Sequence, residues 1–414
     1  MDLPTNDVTI LRELAKRKAE IAADPINLER KQAWYNLDSG EGDRPMILAE
    51  KGGVSDERKA ITRADMTCES QAGRRLERRF RSEFYEFEVL QDDHVVEPVI
   101  NVGWRSKASN YGVEVIHHSS ANEEGHGSYK VEPPIKDLDA DFGKLSPRTY
   151  SVDREATLKD KEDMEELFDG ILPVRIRGIF WMSFGLTGQA IELIGLEELM
   201  LAMFDNPEGL HRLMAFLRDD HLAYAKWLEG EGLLSLNNEN DYIGSGSMGY
   251  SHRLPQSGGD GTVRTEDLWL LLESQETVGV GPDQFEEFVF PYQKSLAEHF
   301  GSVYYGCCEP VNTRWHVLEG ITNMERVSVS PWCDQPFMAQ ACGREIVYSR
   351  KPHPTLVSTD NFDEDAIRAD LQEMMDAAKG CRLEVIMKDV HTLRNQHERL
   401  PRWVQIAREV CGTL

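Results

Sequence analysis

Long apolar runs are missing from this sequence of 414 residues, and basic residues are in short supply. Because no run reaches the roughly 18 apolar residues that a membrane-spanning helix needs, we expect no membrane span. Lys and Arg together number 46 against 72 Asp and Glu, which gives a formal net charge of -26. Such a surface repels nucleic acids and anionic membranes, so we expect neither as a partner.

A disulfide framework and targeting signals are missing as well. The seven cysteines are odd in number and follow no spacing pattern of small disulfide-rich domains, which predicts a reduced, cytoplasmic protein. The first residues, Met1–Asp7, lack the basic region and the apolar stretch of a signal peptide. We find no internal repeat and no low-complexity tract.

What the sequence does contain is a regular alternation of short apolar segments and helical segments from about residue 170 onward. With 40% hydrophobic residues, the chain can bury a large core. Strands that alternate with helices predict a parallel sheet, and the number of units favours a closed (β/α)8 barrel, or TIM barrel, over an open sheet. The predicted strands are Val174–Phe180, Leu233–Leu236, Val303–Tyr305, Arg326–Val329, Ile346–Tyr348 and Leu383–Met387.

The first 150 residues differ in pattern from the rest. We interpret 1–150 as an N-terminal extension packed on a main barrel of residues 151–414, the two together forming one structural domain. The extension is predicted to contain a charged helix over 6–36, a strand at Arg44–Ala49, a helix over 60–90, and long loops with short strands over 103–150. Long loops of this kind often act as lids over a site.

Two predicted strands end in side chains that bind metals. Cys307, Cys308 and Glu309 follow one strand, and Lys388-Asp389-Val390-His391 follows another. Thiolate, imidazole and carboxylate are the donors that zinc prefers, and chemistry in barrels takes place at the carboxyl ends of strands. Because neighbouring strand residues point to opposite faces, Cys308 is the first choice as ligand and Cys307 its substitute. The alternative is that the cysteines are small buried apolar residues and that Glu309 caps a turn.

Further candidates lie in the polar segment after the strand Leu233–Leu236, in the segment before Val278, at the end of the strand Val303–Tyr305 and in the loop after Tyr348. Each could line a pocket, or could belong to an ordinary turn or a solvated helix end. The segment Gly244–Gly249 lacks the lysine of a phosphate-binding loop, and we interpret it as a mobile loop over the site. The candidates at these positions are Glu239, Asp241, Tyr242, Glu276, Tyr305 and His353.

Several segments between residues 170 and 410 resemble the uroporphyrinogen decarboxylase superfamily, which also contains zinc- and corrinoid-dependent methyltransferases. A Gly/Thr-containing turn and helix, a helix start of the Asp-x-Pro-Glu type, and an aromatic segment with an internal proline match that superfamily. A motif of the His-x-Cys-Gly type stands in the family where this chain has Tyr305–Glu309. The other matching segments are Phe184–Gly188, Leu193–Glu197, Asp205–Glu208 and Gly281–Tyr292.

The resemblance implies a zinc-dependent methyltransferase, or corrinoid-linked demethylase. It would move a methyl group from a small O- or N-methylated substrate to a separate corrinoid protein, with zinc acting as a Lewis acid on the leaving heteroatom. The chain has no His-x-Cys, so the implied ligands are Cys308 or Cys307, Glu309, and His391 at the place of a third zinc-binding cysteine. Related folds often form homodimers. The remaining implied roles are catalysis by Glu276, Asp241 and Lys388, and substrate binding by Glu239, Tyr242, Tyr305 and His353.

Two alternatives remain open at this point. One is a cofactor-free decarboxylase of an acidic substrate, for which Gln71–Arg74 is the matching segment of an arginine-rich motif. That reaction needs a pocket rich in arginine, whereas the predicted strand ends carry mainly acids. The other is a non-enzymatic scaffold that holds methyl groups or other ligands around a structural zinc. It predicts a closed site with four protein ligands.

Overall fold

The computed structural model describes residues 2–50, 61–121, 127–256 and 261–413. Within these ranges the chain alternates strands and helices, as predicted. The strands are β1 Met46–Ala49, β2 Ile100–Gly103, β3 Arg105–Ala108, β4 Ile116–Ala121, β5 Gly127–Glu132, β6 Tyr150–Asp153, β7 Val174–Arg177, β8 Tyr242–Gly244, β9 Ser247–Met248, β10 Trp269–Leu272, β11 Ser302–Tyr305, β12 Met324–Val329, β13 Val347–Arg350 and β14 Leu383–Met387.

The helices begin where the sequence offers caps. Asn206 accepts a hydrogen bond from the Gly209 amide at the start of the helix that Pro207 opens, and Asp363 caps a later helix in the same way. The α-helices are α1 Thr5–Ala22, α2 Pro25–Ser39, α3 Gln71–Phe84, α4 Arg154–Phe168, α5 Thr187–Ile194, α6 Leu196–Asp205, α7 Pro207–Gly230, α8 Pro282–Phe288, α9 Phe290–Ala297, α10 Trp315–Leu318, α11 Gln335–Cys342, α12 Thr355–Ser358, α13 Glu364–Ala377 and α14 Arg399–Cys411. A π-helical turn, Tyr85–Leu90, continues α3.

Proline positions explain two differences from the expected helices. The single helix predicted over 6–36 is two helices, because Pro25 begins a new one that Asp24 caps. The internal proline of the segment Gly281–Tyr292, Pro291, is expected to kink a single helix, but the helix breaks fully, with α8 ending at Phe288 and α9 beginning at Phe290. No helix within the described ranges is long and apolar enough to cross a membrane.

A six-stranded parallel sheet forms the centre of the molecule, in the order β1-β14-β13-β12-β11-β10. The predicted α/β class with a parallel sheet is therefore confirmed. Two isolated parallel bridges, Ser183 with Leu271 and Ile179 with Leu234, continue the pairing beyond β10. The strand expected at Leu233–Leu236 is reduced to the bridge at Leu234. Because β1 pairs with β14, the first 150 residues contribute a strand to the central sheet.

The two faces of the sheet bury different residues, as the alternation of side chains along a strand requires. One face, which we call the outer face, packs against the helices through residues such as Ile47, Val303 and Val385. The opposite, inner face combines apolar residues such as Ile386 with buried polar ones such as Arg326. Buried charges therefore lie on both faces, because Arg350 of β13 is buried on the outer face, where it pairs with Asp370 of α13 at 3.2 Å.

A hairpin of β8 and β9 fills the inner face. Ser247 Oγ donates to Glu384 Oε2 at 3.0 Å, and Arg326 donates to Ser247 Oγ at 2.8 Å. Gly244 has no space for a side chain, because a Cβ there would lie 2.6 Å from the Tyr304 ring. The expectation of a mobile loop over Gly244–Gly249 is wrong, since all six residues are buried beneath the carboxyl edge of the sheet.

Candidate active site at the carboxyl edge of the sheet

Charged or thiol side chains directly follow several strands of the sheet at its carboxyl edge. Glu50 follows β1, and its amide donates to Met387 O at 2.8 Å, which extends the pairing by one residue. Glu273 follows β10, Lys351 follows β13 and Lys388 follows β14. Each is two positions beyond an inner-face residue of its strand, so the edge brings these groups and Cys307 towards one region.

The two vicinal thiols lie at the centre of this region. Cys307 Sγ is 3.6 Å from Cys308 Sγ, and Lys388 Nζ is 3.8 Å from Cys307 Sγ. Cys308 Sγ also lies 3.4 Å from Asp389 Oδ2. Both cysteines are half-buried, and Asp389 adopts a left-handed backbone conformation with φ 57°. Neighbouring residues of a regular strand point to opposite faces, but the chain has left the extended conformation at Gly306, with φ 91°, and this bend brings both thiols together.

The two thiols differ in acidity. The Cys308 thiol lowers the pKa of Cys307 to about 7 by hydrogen bonding, burial opposes this effect, and the Lys388 ammonium adds to it. The pKa of Cys308 is raised, because Cys308 is the donor to Cys307 and is itself buried. Burial disfavours the charge of Lys388, but the surrounding anions, Cys307 first among them, raise its pKa overall. Cys307 is therefore the thiol that carries negative charge near neutral pH.

Glu309, a predicted metal ligand, faces the backbone. It is 2% exposed, and its Oε1 and Oε2 accept hydrogen bonds from the amides of Ser274 at 2.8 Å and Cys307 at 2.9 Å. Burial raises the pKa of Glu309. This carboxylate joins the loop that carries the thiols to the loop after β10. Its contacts are with backbone amides, so its role in the structure is to hold these two loops together.

The predicted zinc ligands therefore do not form a ready three-ligand site. Within residues 2–50, 61–121, 127–256 and 261–413, no group of three or more His, Cys, Asp or Glu side chains is placed to hold a metal ion. His391 is exposed in the segment after β14. The Cys307–Cys308 separation of 3.6 Å does suit two ligands of one tetrahedral zinc, for which sulfurs at about 2.3 Å from the metal lie about 3.8 Å apart. The thiol pair fits zinc, whereas Glu309 does not.

Two carboxyl groups, Glu273 and Glu276, lie beside the thiols. They line a cavity of about 340 Å³ together with residues of the loop and helix around Gly185. Burial, and then the charges of Glu276 and Glu309, raise the pKa of Glu273 to about 9. Glu276 Oε2 accepts a hydrogen bond from Thr187 Oγ1 at 2.7 Å. Glu273 is consequently protonated at neutral pH and can donate a proton inside this cavity.

A third group of side chains lies on the other side of Lys388. Lys388 Nζ donates to Ser245 Oγ at 3.2 Å, at the tip of the buried hairpin. Burial and the neighbouring Glu50, to which Tyr242 donates a hydrogen bond, raise the pKa of Tyr242. Trp181 packs against Tyr242 with 4.9 Å between the ring centroids. Tyr242, a predicted substrate-binding residue, therefore lies at the site.

The structure places other predicted site residues elsewhere. Asp241 is buried in an ion pair with Arg177, and Glu239 lies 3.7 Å from Lys31 of α2. Tyr305 is on the outer face of the sheet, where its hydroxyl donates to Gln293 of α9 at 2.9 Å. Cys307 is two positions beyond Tyr305 and would share its face in a regular strand, but the chain leaves the extended conformation at Gly306, with φ 91°, so the two side chains lie apart.

His353 lies on the rim. Its Nδ1 is 2.7 Å from Thr355 Oγ1, and its ring packs edge-on against Trp332. Among the described residues these contacts do not link His353 to the thiols, and its assignment as a substrate-binding residue stays a prediction.

Three residues of the site escaped the sequence interpretation, namely Glu50, Glu273 and Lys351. Lys351 is 3% exposed, and its Nζ donates to Tyr304 OH at 3.0 Å; burial lowers the pKa of Lys351 to about 7. All three directly follow a strand, as Lys388 does, so the rule that selected Lys388 could have selected them. Ser245 could not have been found in this way, because it lies in the turn between β8 and β9 and does not follow a strand of the central sheet.

Comparison with known proteins yields similarity in structure and none in sequence. No protein-family profile and no curated protein matches the chain. Among solved structures, the chain is similar to a methyltransferase from Methanosarcina mazei, with 13% sequence identity and a TM-score of 0.50. The match covers 92% of this chain and 98% of that chain. At this identity the likeness shows the fold alone, and membership of the uroporphyrinogen decarboxylase superfamily stays a prediction.

Proposed function

We propose that this protein is a methyltransferase that moves a methyl group from a small O- or N-methylated substrate to a separate corrinoid protein. The observation that carries the proposal is geometric: two adjacent thiols, Cys307 and Cys308, follow β11, and the carboxyl group of Glu273 follows the neighbouring strand β10. The lowered pKa of Cys307 and the raised pKa of Glu273 agree with such a site. The likeness in fold to a methyltransferase adds support. A cytoplasmic location and a homodimer remain part of the prediction.

The proposal includes a closed (β/α)8 barrel. It is supported by the six parallel strands of the sheet and by the two bridges that continue their pairing through Ser183 and Ile179. In such barrels the carboxyl edge of the strands holds the active site, and that is where the thiols and Glu273 lie.

Methyl transfer from an ether breaks a carbon–oxygen bond and leaves an alkoxide, which needs a proton. Protonated Glu273 is suited to supply it, and Glu276 lines the same cavity, where Thr187 orients it. A quaternary ammonium differs, because it leaves as a neutral amine and takes no proton. We therefore expect Glu273→Gln to slow methyl transfer from ethers by about 10²-fold or more, and to slow transfer from quaternary ammonium compounds far less.

Zinc stays a prediction. Cys307 and Cys308 are spaced as two of its ligands would be, but the third and fourth ligands are not assembled among the described residues. No step of the proposed reaction is therefore assigned to the metal. Elemental analysis of protein purified without chelators tests this part of the proposal directly.

The function is tested by incubating the purified protein with methylated ethers and amines and with reduced cobalamin as a stand-in for the corrinoid partner. Formation of methylcobalamin is followed by its absorbance. Cys307→Ser should lose activity with every substrate and Glu273→Gln should lose it with ethers, whereas Cys381→Ser, whose thiol donates to Ala339 O, should keep it. Activity with no substrate class, or full activity in Cys307→Ser and Glu273→Gln together, would refute the proposal.

The decarboxylase alternative finds less support in the described site. The described lining of the cavity includes Glu192, Glu273 and Glu276, but no Arg or Lys. An acidic substrate would meet repulsion in such a cavity, since like charges in a partly buried site are costly. Release of CO₂ from an acidic substrate by chelated protein would revive this alternative.

A further inference from the structure

An exposed pair of aromatic rings lies beside a half-buried carboxylate, Glu50, at the edge of the site. Trp181 is 40% exposed and Tyr242 is 37% exposed, although both side chains are large and apolar. Their ring centroids are 4.9 Å apart and their planes are tilted by 48°, so the two rings form adjoining walls. Exposed aromatic faces that meet at an angle are a common way to hold a cation.

The carboxylate beside these rings, Glu50, has one oxygen atom that accepts no hydrogen bond from the described residues. Glu50 accepts a hydrogen bond from Tyr242, yet its Oε1 is buried and, among the residues that the structure describes, has no hydrogen-bond partner. The hairpin tip holds this oxygen in place, because a Cβ on Gly246 would lie 3.0 Å from it. A buried carboxylate oxygen without a partner costs free energy unless a ligand satisfies it.

The charges around the rings favour a positive ligand. Lys388 has Cys307 at 3.8 Å and Asp389 at 3.7 Å, and the Glu50 charge acts both on Lys388 and on the buried Lys351. Because three anionic groups surround Lys388, its single charge does not match all of them, and the excess of negative charge favours a positive ligand. The whole chain, with a net charge of -26, also attracts cations and repels anions.

We infer that Trp181, Tyr242 and Glu50 form a subsite for an alkylammonium group, so that the methylated substrate is a small organic cation. This inference rests on the proposed function for the transfer itself, but it makes a claim about binding alone. The ammonium group would contact the two ring faces and place its charge near Glu50 Oε1. Lys388 and Cys307 would then lie on the side of the substrate that faces the thiols.

The test compares a quaternary ammonium with a neutral compound of the same shape. The full-length protein is titrated by calorimetry with (2-hydroxyethyl)trimethylammonium and with 3,3-dimethylbutan-1-ol, in which carbon replaces the charged nitrogen. We expect the cation to bind at least about tenfold more tightly, because cation–π and carboxylate contacts act on the charge alone. Equal binding of the two compounds, or binding of neither, would overturn the inference.

Variants locate the binding to this subsite. Glu50→Gln keeps the shape of the side chain and should weaken binding of the cation about tenfold, and Trp181→Leu should do the same. Trp332→Leu is the matched control, because Trp332 is 63% exposed on the rim near His353, and should bind as the wild type does. Circular dichroism checks that each variant is folded. Wild-type affinity in both Glu50→Gln and Trp181→Leu would overturn the inference.

The inference and the proposed function fail separately. Cation binding without methylcobalamin formation would leave the subsite in place and refute the methyltransferase. Methyl transfer from neutral ethers without preference for the cation would support the methyltransferase and overturn the subsite.

Discussion

The acidity of Cys307 gives the sharpest test of the site. Its hydrogen bond from Cys308 and the Lys388 ammonium at 3.8 Å lower its pKa to about 7. A unit charge at that distance contributes about 4 kcal/mol at an effective dielectric constant of about 20, or about three pKa units, before water reduces it. Because Cys307 is half-buried, we expect Lys388→Met to raise its pKa by about one to two units. Cys308→Ala should also raise it.

Alkylation by iodoacetamide measures this pKa, because only the thiolate reacts. At pH 7 about half of a thiol with a pKa of about 7 is ionised, against about 3% at the ordinary value of about 8.5. Wild-type Cys307 should therefore react roughly fifteen times faster than an ordinary thiol, and Lys388→Met should remove most of this advantage. Peptide mass spectrometry of chelator-treated protein follows each cysteine separately. Cys411, whose pKa burial raises to about 11, is the internal control and should remain unlabelled.

A reactivity midpoint of Cys307 near pH 8.5 in the wild type would contradict the described geometry. An unchanged midpoint in Lys388→Met would show that the ammonium does not act on this thiol. If zinc binds the two thiols, adding it should protect both Cys307 and Cys308 from alkylation, and removing it should restore the reaction.

Three further predictions follow from burial and geometry. Glu273 has a folded-state pKa raised to about 9, so the native state binds an extra proton and loses stability as the pH rises from about 4.5 towards 9. Glu273→Gln should lack this loss, and denaturant unfolding at about pH 5 and about pH 9 should show a difference of a few kcal/mol between the proteins. Gly246→Ala should lower the free energy of unfolding by about 2–4 kcal/mol, because Gly246 has φ 91° and a Cβ would lie 2.6 Å from Ile386; a loss below about 0.5 kcal/mol would contradict the buried hairpin. Wild-type protein should carry about one zinc per chain and Cys308→Ser should lose it, and a metal-free wild type supplied with zinc would remove zinc from the proposal.

Part of the site could be predicted from the rule that functional residues follow the carboxyl ends of parallel strands. Cys307, Cys308 and Lys388 could be predicted because each follows an apolar strand of a parallel sheet, and the structure brings all three together. Glu276 is predicted as a pocket residue from the polar segment before Val278, not from the end of a predicted strand, and in the structure it lines a cavity. Glu309 could not be judged, because whether a carboxylate faces a ligand or two backbone amides depends on the loop beside it.

The sequence by itself determined the α/β class, the alternation of strands and helices that gives a parallel sheet, and the helix starts at Asn206 and Asp363. These features depend on hydrophobic periodicity and local capping, which neighbouring residues decide. Only the tertiary structure decided that the hairpin around Ser245 fills the inner face, and that Glu50, Tyr242 and Trp181 meet beside Lys388. Their contacts join residues far apart in the chain, and the local pattern of a buried Gly/Ser-rich hairpin is the same as that of an exposed loop.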